Sequence, residues 1–509
     1  MGTRPGGSPL NIANGIREFA VASPGAVAVV DGDRSLSYAA LDERSSRLGQ
    51  ALLGAGLHPT DRVGVVLGNR LEYPEIAAGL AKAGLIAVPV NPRSAAPEVT
   101  DVLGRAAVRA VVLDDALAGI VGDAVDICGI DIVLSVDGTA LGPNYEDALA
   151  AARATDPAVE TRETDPFTIA FTGGTTGRPK GVVISHRSRT LTFYCAALDW
   201  GLGPGRRTIA VAPMYHGAGF AFGYTPCVTG ASVSMLRAWD PERFLAMVAE
   251  QRPHSLFLVP AHLQMLRTLG EDTLAAADMA GLETIYVNAA PLPQTLKLWA
   301  LDSLPQIGMH ELYGSTEAGV VSNLRPPYMR LKERCVGPPW FMTEVRLLGL
   351  DGNPVGVGER GELYSRSPFV FTGYLDEPEA TEACTNADGF VTAGDIAVMD
   401  EDSFLYIVDR VKDMILTGGV NVYPREVEEV LHTHPKVADV AVIGVPDDDW
   451  GEKVTAVVVP AGGPPTLDEL VAHCRDQLAG FKLPKALRIV EDLPRSAAGK
   501  VLKRELRGE

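Results

Sequence analysis

Residues 171–186 read FTGGTTGRPKGVVISH, with glycines, threonines and one lysine set between two apolar runs. Glycine lets backbone N–H groups face a common centre, threonine adds hydroxyl donors and lysine adds a compact positive charge, so the stretch is suited to holding phosphate. It is not the commonest phosphate loop. That pattern ends in Gly-Lys-Ser/Thr, whereas Lys180 lies between Pro179 and Gly181. A plain glycine-rich turn is the alternative, but a turn has no use for Thr172, Thr175, Thr176 and Lys180 together.

Outward from this loop, apolar runs alternate with helical patterns. RVGVVLGN (62–69), EYPEIAAGLAKAG (72–84) and LIAVPVN (85–91) give the β-α-β rhythm of a parallel sheet covered by helices. RAVVLDD (109–115), FTIAFTG (167–173), TIAVAPM (208–214), SLFLVP (255–260) and TIYVNAA (284–290) read as further buried strands. Ligands of open α/β sheets gather at the carboxyl ends of strands, so the loops after these runs are where chemistry is expected. From about 335 to 408, short alternating segments with Gly turns predict an antiparallel, barrel-like subdomain. The segment beyond it predicts a small α+β domain with a helix opened by Thr466.

A chain of 509 residues is too long for one core. Its net charge of −19 repels polyanions, which argues against general nucleic-acid or anionic-membrane binding. The six cysteines are far apart in sequence and form no ligand cluster, which fits a reducing cytoplasm rather than a disulfide framework or zinc. No apolar run is long enough for a membrane span.

YGSTE (313–317) puts an aromatic ring, hydroxyls and a carboxylate side by side, suited to stacking a base and offering an oxygen to Mg²⁺. Alone it would be an ordinary turn. It is accompanied by PMYHGAG (213–219), NAAP (288–291), GERGEL (358–363), AGD (393–395), DRVKDMI (409–415), GGVNVYPREVE (418–428) and PRSAAGK (494–500). Together with FTGGTTGRPKGV these segments resemble, in order and spacing, the motif series of the adenylate-forming superfamily, in its acyl-CoA synthetase (AMP-dependent acid–CoA ligase) branch. The resemblance covers nearly the whole chain.

That resemblance implies an α/β fold. A large multi-subdomain adenylation domain (10–409), with two parallel-type α/β sheets and a β-barrel-like part, would be followed by a hinge (410–412) and a small, rotating α+β domain (413–509), with residues 1–9 as a flexible tail. The implied reaction is ATP-dependent conversion of a carboxylic acid to an acyl-adenylate with release of pyrophosphate, then transfer to coenzyme A.

Carried onto matching positions, Thr172, Gly173, Gly174, Thr175, Thr176, Gly177 and Lys180 would hold phosphates. Asn288, Ala289, Ala290, Tyr313 and Gly314 would frame adenine, and Asp395 and Arg410 would hold the ribose. Lys500, Glu317, Thr316 and His216 are the implied catalytic residues: Glu317 on Mg²⁺, Thr316 near the α-phosphate, Lys500 reaching both the carboxylate and the α-phosphate, His216 at the acyl site. Lys412 falls at the hinge, and Gly418, Gly419 and Trp450 at a tunnel for pantetheine; core packing of Trp450 is an equal alternative. His216, Gly217, Gly219, Phe220, Gly223, Ala318 and Gly319 are the expected acyl pocket, and so many small side chains suggest room for a bulky or long apolar acid.

Two positions depart from the family pattern: Gly173 stands where many members have Ser, and Val420 where many have Glu. ATP, Mg²⁺ and CoA are the implied cofactors and a small-molecule carboxylic acid the substrate, with no nucleic acid. A homodimer and a downstream acyl-accepting enzyme or carrier protein are candidate partners. Two competing readings are an adenylating enzyme that hands acyl-AMP to a separate carrier protein or partner ligase, and a non-catalytic nucleotide-binding relative. Retention of Lys180, Glu317, Asp395 and Lys500 together speaks against the latter.

Overall fold

The computed structural model describes residues 9–172, 179–349, 351–418, 420–447, 449–495 and 501–508. Among them, two large sheets form the body of the molecule. One runs in the order Gly319–Leu324, Gly308–Ser315, Thr284–Val287, Ser255–Leu258, Arg207–Ala210, Ser232–Met235, Val27–Asp31, Arg34–Ser37, parallel except at its two ends. The other runs Gly373–Tyr374, Lys180–Ser185, Pro166–Thr172, Ile86–Pro89, Arg62–Val66, Ala110–Asp114, Ile132–Val136. Its central strands are parallel, as continuous apolar runs covered on both faces require, and the strands around Lys180–Ser185 are antiparallel.

The helix Gly217–Thr229 (GAGFAFGYTPCVT) is apolar all round and almost wholly buried, as such a helix must be. It ties the two sheets together. Phe222 stacks on Trp200 with ring centroids 3.8 Å apart and meets Phe257 and Tyr286 of the first sheet. Phe220 packs at 5.8 Å on Phe167 of the second. Gly15, on the helix Asn14–Ala22, permits a close backbone approach to this helix: a Cβ there would lie 2.0 Å from the Val228 carbonyl oxygen.

The expected antiparallel subdomain is a four-stranded sheet of Glu344–Leu348, Arg360–Arg366, Val391–Met399 and Leu405–Arg410. A smaller C-terminal domain follows, with its own sheet and a core around Ile415, Val427, Val442, Val454 and Leu470. Its helix Leu467–Arg475 opens as the sequence predicts, with the Thr466 hydroxyl accepting from the Glu469 N–H at 3.3 Å and the Glu469 carboxylate accepting from the Thr466 N–H at 2.8 Å. The tail expected at residues 1–9 falls, apart from its last residue, outside the described residues. No described helix is long and apolar enough to cross a membrane.

Candidate active site

The strands Pro166–Thr172 and Lys180–Ser185 form a hairpin whose last register pair is Thr172 with Lys180. Gly173, Gly174, Thr175, Thr176 and Gly177 lie outside the described residues. The flanking chain is firmly held: Arg105 donates to the Pro179 carbonyl at 2.5 Å, pairs with Glu377 at 3.0 Å and lies over the Phe171 ring. The two-residue strand Gly373–Tyr374 pairs with Val183 and Val182 on the hairpin's outer edge.

That short strand assembles the first polar cluster. The Lys180 ammonium sits 4.7 Å from the centre of the Tyr374 ring, and the Tyr374 hydroxyl donates to Glu317 Oε1 at 2.9 Å. Burial and then the Glu317 charge push the Tyr374 hydroxyl far up, so it stays a donor. Glu317 is held from its main chain as well, its carbonyl accepting from the Phe371 N–H at 2.7 Å. A carboxylate and a lysine brought together at the mouth of a Gly/Thr loop can serve a metal–phosphate pair: one oxygen is occupied by Tyr374, and the other has no protein partner among the described residues. Thr316 lies beside Glu317 in the turn between Gly308–Ser315 and Gly319–Leu324.

The second cluster joins Tyr313, Asp395 and Arg410. The Tyr313 hydroxyl donates to Asp395 Oδ2 at 2.6 Å, and Arg410 Nε donates to Oδ1 at 2.9 Å. Register puts Asp395 directly across from Arg410 on antiparallel strands, so the pairing follows from the sheet itself. Arg410 also donates to the Ala393 carbonyl. Burial, with the neighbouring Asp395 charge, keeps Tyr313 protonated. Asn288, Ala289 and Ala290 follow the strand Thr284–Val287, whose partner strand Gly308–Ser315 contains Tyr313 and Gly314. Ala289 has φ of 78°, a left-handed conformation unusual for a residue with a Cβ.

His216 precedes the buried helix as its N-cap residue, and the loop leading to it is pinned by Asn69, whose side chain donates to the Ala210 and Ala212 carbonyls and accepts from the Met214 N–H at 2.8 Å. Burial lowers the His216 ring to about 4, so it is neutral at pH 7, and its Nε2 has no partner among the described residues. It lines an apolar cavity together with Gly217, Phe220, Tyr73, Phe167 and Met214.

Other small residues expected to line a pocket are engaged in close packing. A Cβ on Gly219 would lie 2.1 Å from the Pro213 carbonyl oxygen, one on Gly314 2.1 Å from that of Gly319, and one on Gly223 2.9 Å from the Met214 side chain. Gly319 has φ of 71° against Phe369, and Ala318 is buried in the core of the antiparallel subdomain. The small residues that do line the cavity are the expected Gly217 and, unforeseen, Ala77, Ala87 and Ala170.

Lys412 lies in the turn Val411–Asp413, between the strands Leu405–Arg410 and Ile415–Thr417. Close to it in sequence, Asp409 is pushed up to about 6 by burial, against the pull of Lys503. Gly418 has φ of 57°, and its N–H donates to the Trp450 carbonyl at 2.8 Å. A Cβ at 418 would sit 3.4 Å from the Trp450 ring. Trp450 is 43% exposed, with the Lys485 ammonium 4.4 Å from its ring centre, which removes core packing as its role. Gly419 and Lys500 lie outside the described residues; the segments flanking Lys500 meet through a bridge between Arg495 and Val501.

Tyr374, Asn69 and Arg189, another residue lining the cavity, are not legible as site residues in the sequence. Tyr374 stands in FTGYLDEP, where an aromatic between Gly and Leu reads as packing, and its value appears only when the short strand is laid against the hairpin.

The family model described as AMP-binding enzyme matches residues 16–375, and the one described as AMP-binding enzyme C-terminal domain matches 426–500. A feruloyl-CoA synthase from Amycolatopsis sp. is 36% identical over 493 residues, covering 95% of this chain and 96% of the relative. A 2-succinylbenzoate–CoA ligase from Geobacillus kaustophilus is 32% identical, covering 97% of each. The ATP-bound crystal structure of MatB from Rhodopseudomonas palustris superposes with a TM-score of 0.88 at 28% identity, covering 98% of each chain. The chain belongs to the AMP-binding enzyme family and is an adenylate-forming acyl-CoA ligase that uses ATP and CoA.

Proposed function

We propose that the acid this ligase activates carries a bulky, largely apolar acyl group and that the two polar clusters divide the handling of its nucleotide. The observation that carries the reading is the convergence of Lys180, Tyr374 and Glu317 on one side and Tyr313, Asp395 and Arg410 on the other, with an apolar cavity that holds a neutral histidine. The acids named for the feruloyl-CoA and 2-succinylbenzoate ligases support the same class.

The first step joins two negatively charged partners, a carboxylate and the α-phosphate, and proceeds only where cations and donors screen them. A carboxylate oxygen attacks the α-phosphorus, and pyrophosphate leaves with the bridging electron pair. Lys180 and the loop after Thr172 would hold the departing phosphates, Lys500 would screen the attack, and Asp395 would accept from the ribose hydroxyls while Arg410 and Tyr313 orient it. Mg²⁺ would supply charge neutralisation on the phosphates, and Glu317 fits it through the carboxylate oxygen that Tyr374 leaves unused.

In the second step the CoA sulfur attacks the acyl carbonyl and AMP leaves. We place the domain boundary at 410–412, with rotation about Lys412 bringing Gly418, Gly419 and Trp450 toward the site. The free cysteines suit a reducing cytoplasm.

The test is to incubate the protein with Mg-ATP and a panel of aryl, fatty and polycyclic acids, with and without CoA, identifying products by mass. Acyl-CoA from bulky acids in preference to acetate is the expected result. Acyl-AMP accumulating despite CoA would transfer the second step to a carrier protein or partner ligase, and nucleotide binding without acid-dependent turnover would overturn the reading.

A further inference from the structure

Arg189 lies on the helix His186–Trp200, which is capped by Ser185 and tied down by the Ser188 hydroxyl donating to the Phe369 carbonyl at 2.7 Å. Its side chain turns inward. The residue is 8% exposed, lines the apolar cavity, and its side chain makes no ion pair or hydrogen bond among the described residues; its Nε is both buried and unpartnered. Its Nη2 approaches Gly217, at the start of the buried helix, where the backbone N–H groups add positive potential rather than relieve it. Among the described residues no carboxylate lines the cavity. Burial alone lowers Arg189 to about 10, which leaves it charged at pH 7.

A buried guanidinium on a cavity whose other walls include Val65, Ile76, Phe167, Ile184 and Phe220, and which no carboxylate among the described residues lines, is costly to keep unless a ligand supplies the charge. That ligand group is not the reacting carboxylate. Of the residues assigned to the reacting centre only His216 lines this cavity; Tyr313, Thr316, Glu317, Asp395 and Arg410 do not, so the rest of the wall, Arg189 included, faces the acyl part of the acid. Building on the acid-ligase reading, we infer that Arg189 is a specificity-determining residue that binds a second anionic oxygen group, such as a carboxylate, carried by the acyl part of the substrate away from the carbon being activated. The apolar walls accept the body of the acid and Arg189 reads its far end. Arginine suits the task because its planar fork meets a carboxylate bidentately and stays charged when buried.

The test uses matched acids that differ only at the remote end: 3-(4-carboxyphenyl)propanoate against 3-(4-methylphenyl)propanoate, and suberate against octanoate. CoA-thioester formation is measured for wild type, Arg189→Met and Arg189→Lys, with thermal unfolding recorded for each. The wild type is expected to favour the remote carboxylates in kcat/KM by about 10- to 150-fold, the range of a buried charge-assisted hydrogen bond. Arg189→Met should lose that preference or invert it while still turning over the methyl-ended acids, and Arg189→Lys should restore part of it. A wild type that favours the methyl-ended acids overturns the inference. So does an Arg189→Met protein that remains folded and loses both classes equally. Thioester formation with the same acid preference in wild type and Arg189→Met would leave the ligase reading standing and remove this one alone; no thioester from any acid would remove both.

Discussion

Replacing Asp395 tests the second polar cluster at its centre. The residue is 8% exposed, and its carboxylate accepts from the Tyr313 hydroxyl at 2.6 Å and from Arg410 Nε at 2.9 Å. Asp395→Ala removes both acceptors at once and leaves a largely buried guanidinium without its carboxylate, a loss in the range of about 3–5 kcal/mol for a broken buried ion pair. Asp395→Asn keeps the shape and one acceptor but turns an NH₂ toward the other donor, so it should cost about 1–3 kcal/mol. If Asp395 also accepts from the ribose hydroxyls, each variant loses charge-assisted hydrogen bonds to ATP worth about 1.5–3 kcal/mol, or roughly 10- to 150-fold in the KM for ATP. Acid-dependent ATP–pyrophosphate exchange, read across ATP concentrations alongside urea unfolding, separates the two effects. Tyr313→Phe, which leaves the ion pair intact, supplies the control for the phenol. The reasoning would be refuted by a destabilised Asp395→Asn protein whose KM for ATP matches wild type, because the carboxylate would then serve the strand pair and nothing else.

Lys500→Ala should lower acid-dependent pyrophosphate release by about 10²-fold or more while sparing thioester formation from supplied acyl-adenylate; equal loss in both assays sinks that role. Gly418→Val places a branched side chain at φ of 57° with its Cβ 3.4 Å from the Trp450 ring, so acyl-AMP should form normally and acyl-CoA should not, as followed by mass. His186 is 1% exposed and burial holds its ring at about 4, so between pH 6.5 and 4 the unfolded chain takes up a proton that the folded one refuses. Stability conferred by the neutral ring is therefore complete above pH 6.5 and falls as pH drops through that window, by about 3 kcal/mol at most; urea midpoints of wild type and His186→Gln across pH 4–7 should converge toward the acid end.

The central strands are readable in the sequence because buried parallel strands must be apolar throughout: RVGVVLGN and LIAVPVN announce themselves whatever surrounds them. The Gly/Thr stretch stands out because phosphate chemistry needs donors in a short span, but residues 173–177, on which that expectation rests, lie outside the described residues. What is not legible depends on partners distant in space or brought near only by folding. Gly219, Gly223 and Gly314 look alike in a string of letters whether they open a cavity or let two backbones touch, and only the positions of Pro213, Met214 and Gly319 decide between the two. Arg189 looks like any arginine on a helix until the helix is set against Phe369 and Gly217. Tyr374 gains its contact with Glu317 through a strand two residues long, too short for any periodicity to mark.

Trp450 is the chain's only tryptophan beyond residue 412; the other four, Trp200, Trp239, Trp299 and Trp340, belong to the large domain. Its indole is nearly half in water, beneath a lysine and close to Gly418. The small domain thus carries its own optical probe: once the four other indoles are replaced by phenylalanine, emission reports on this loop alone. Arrival of a thiol ligand or a turn of the domain would register there as a change in intensity or colour, without any label attached to the protein.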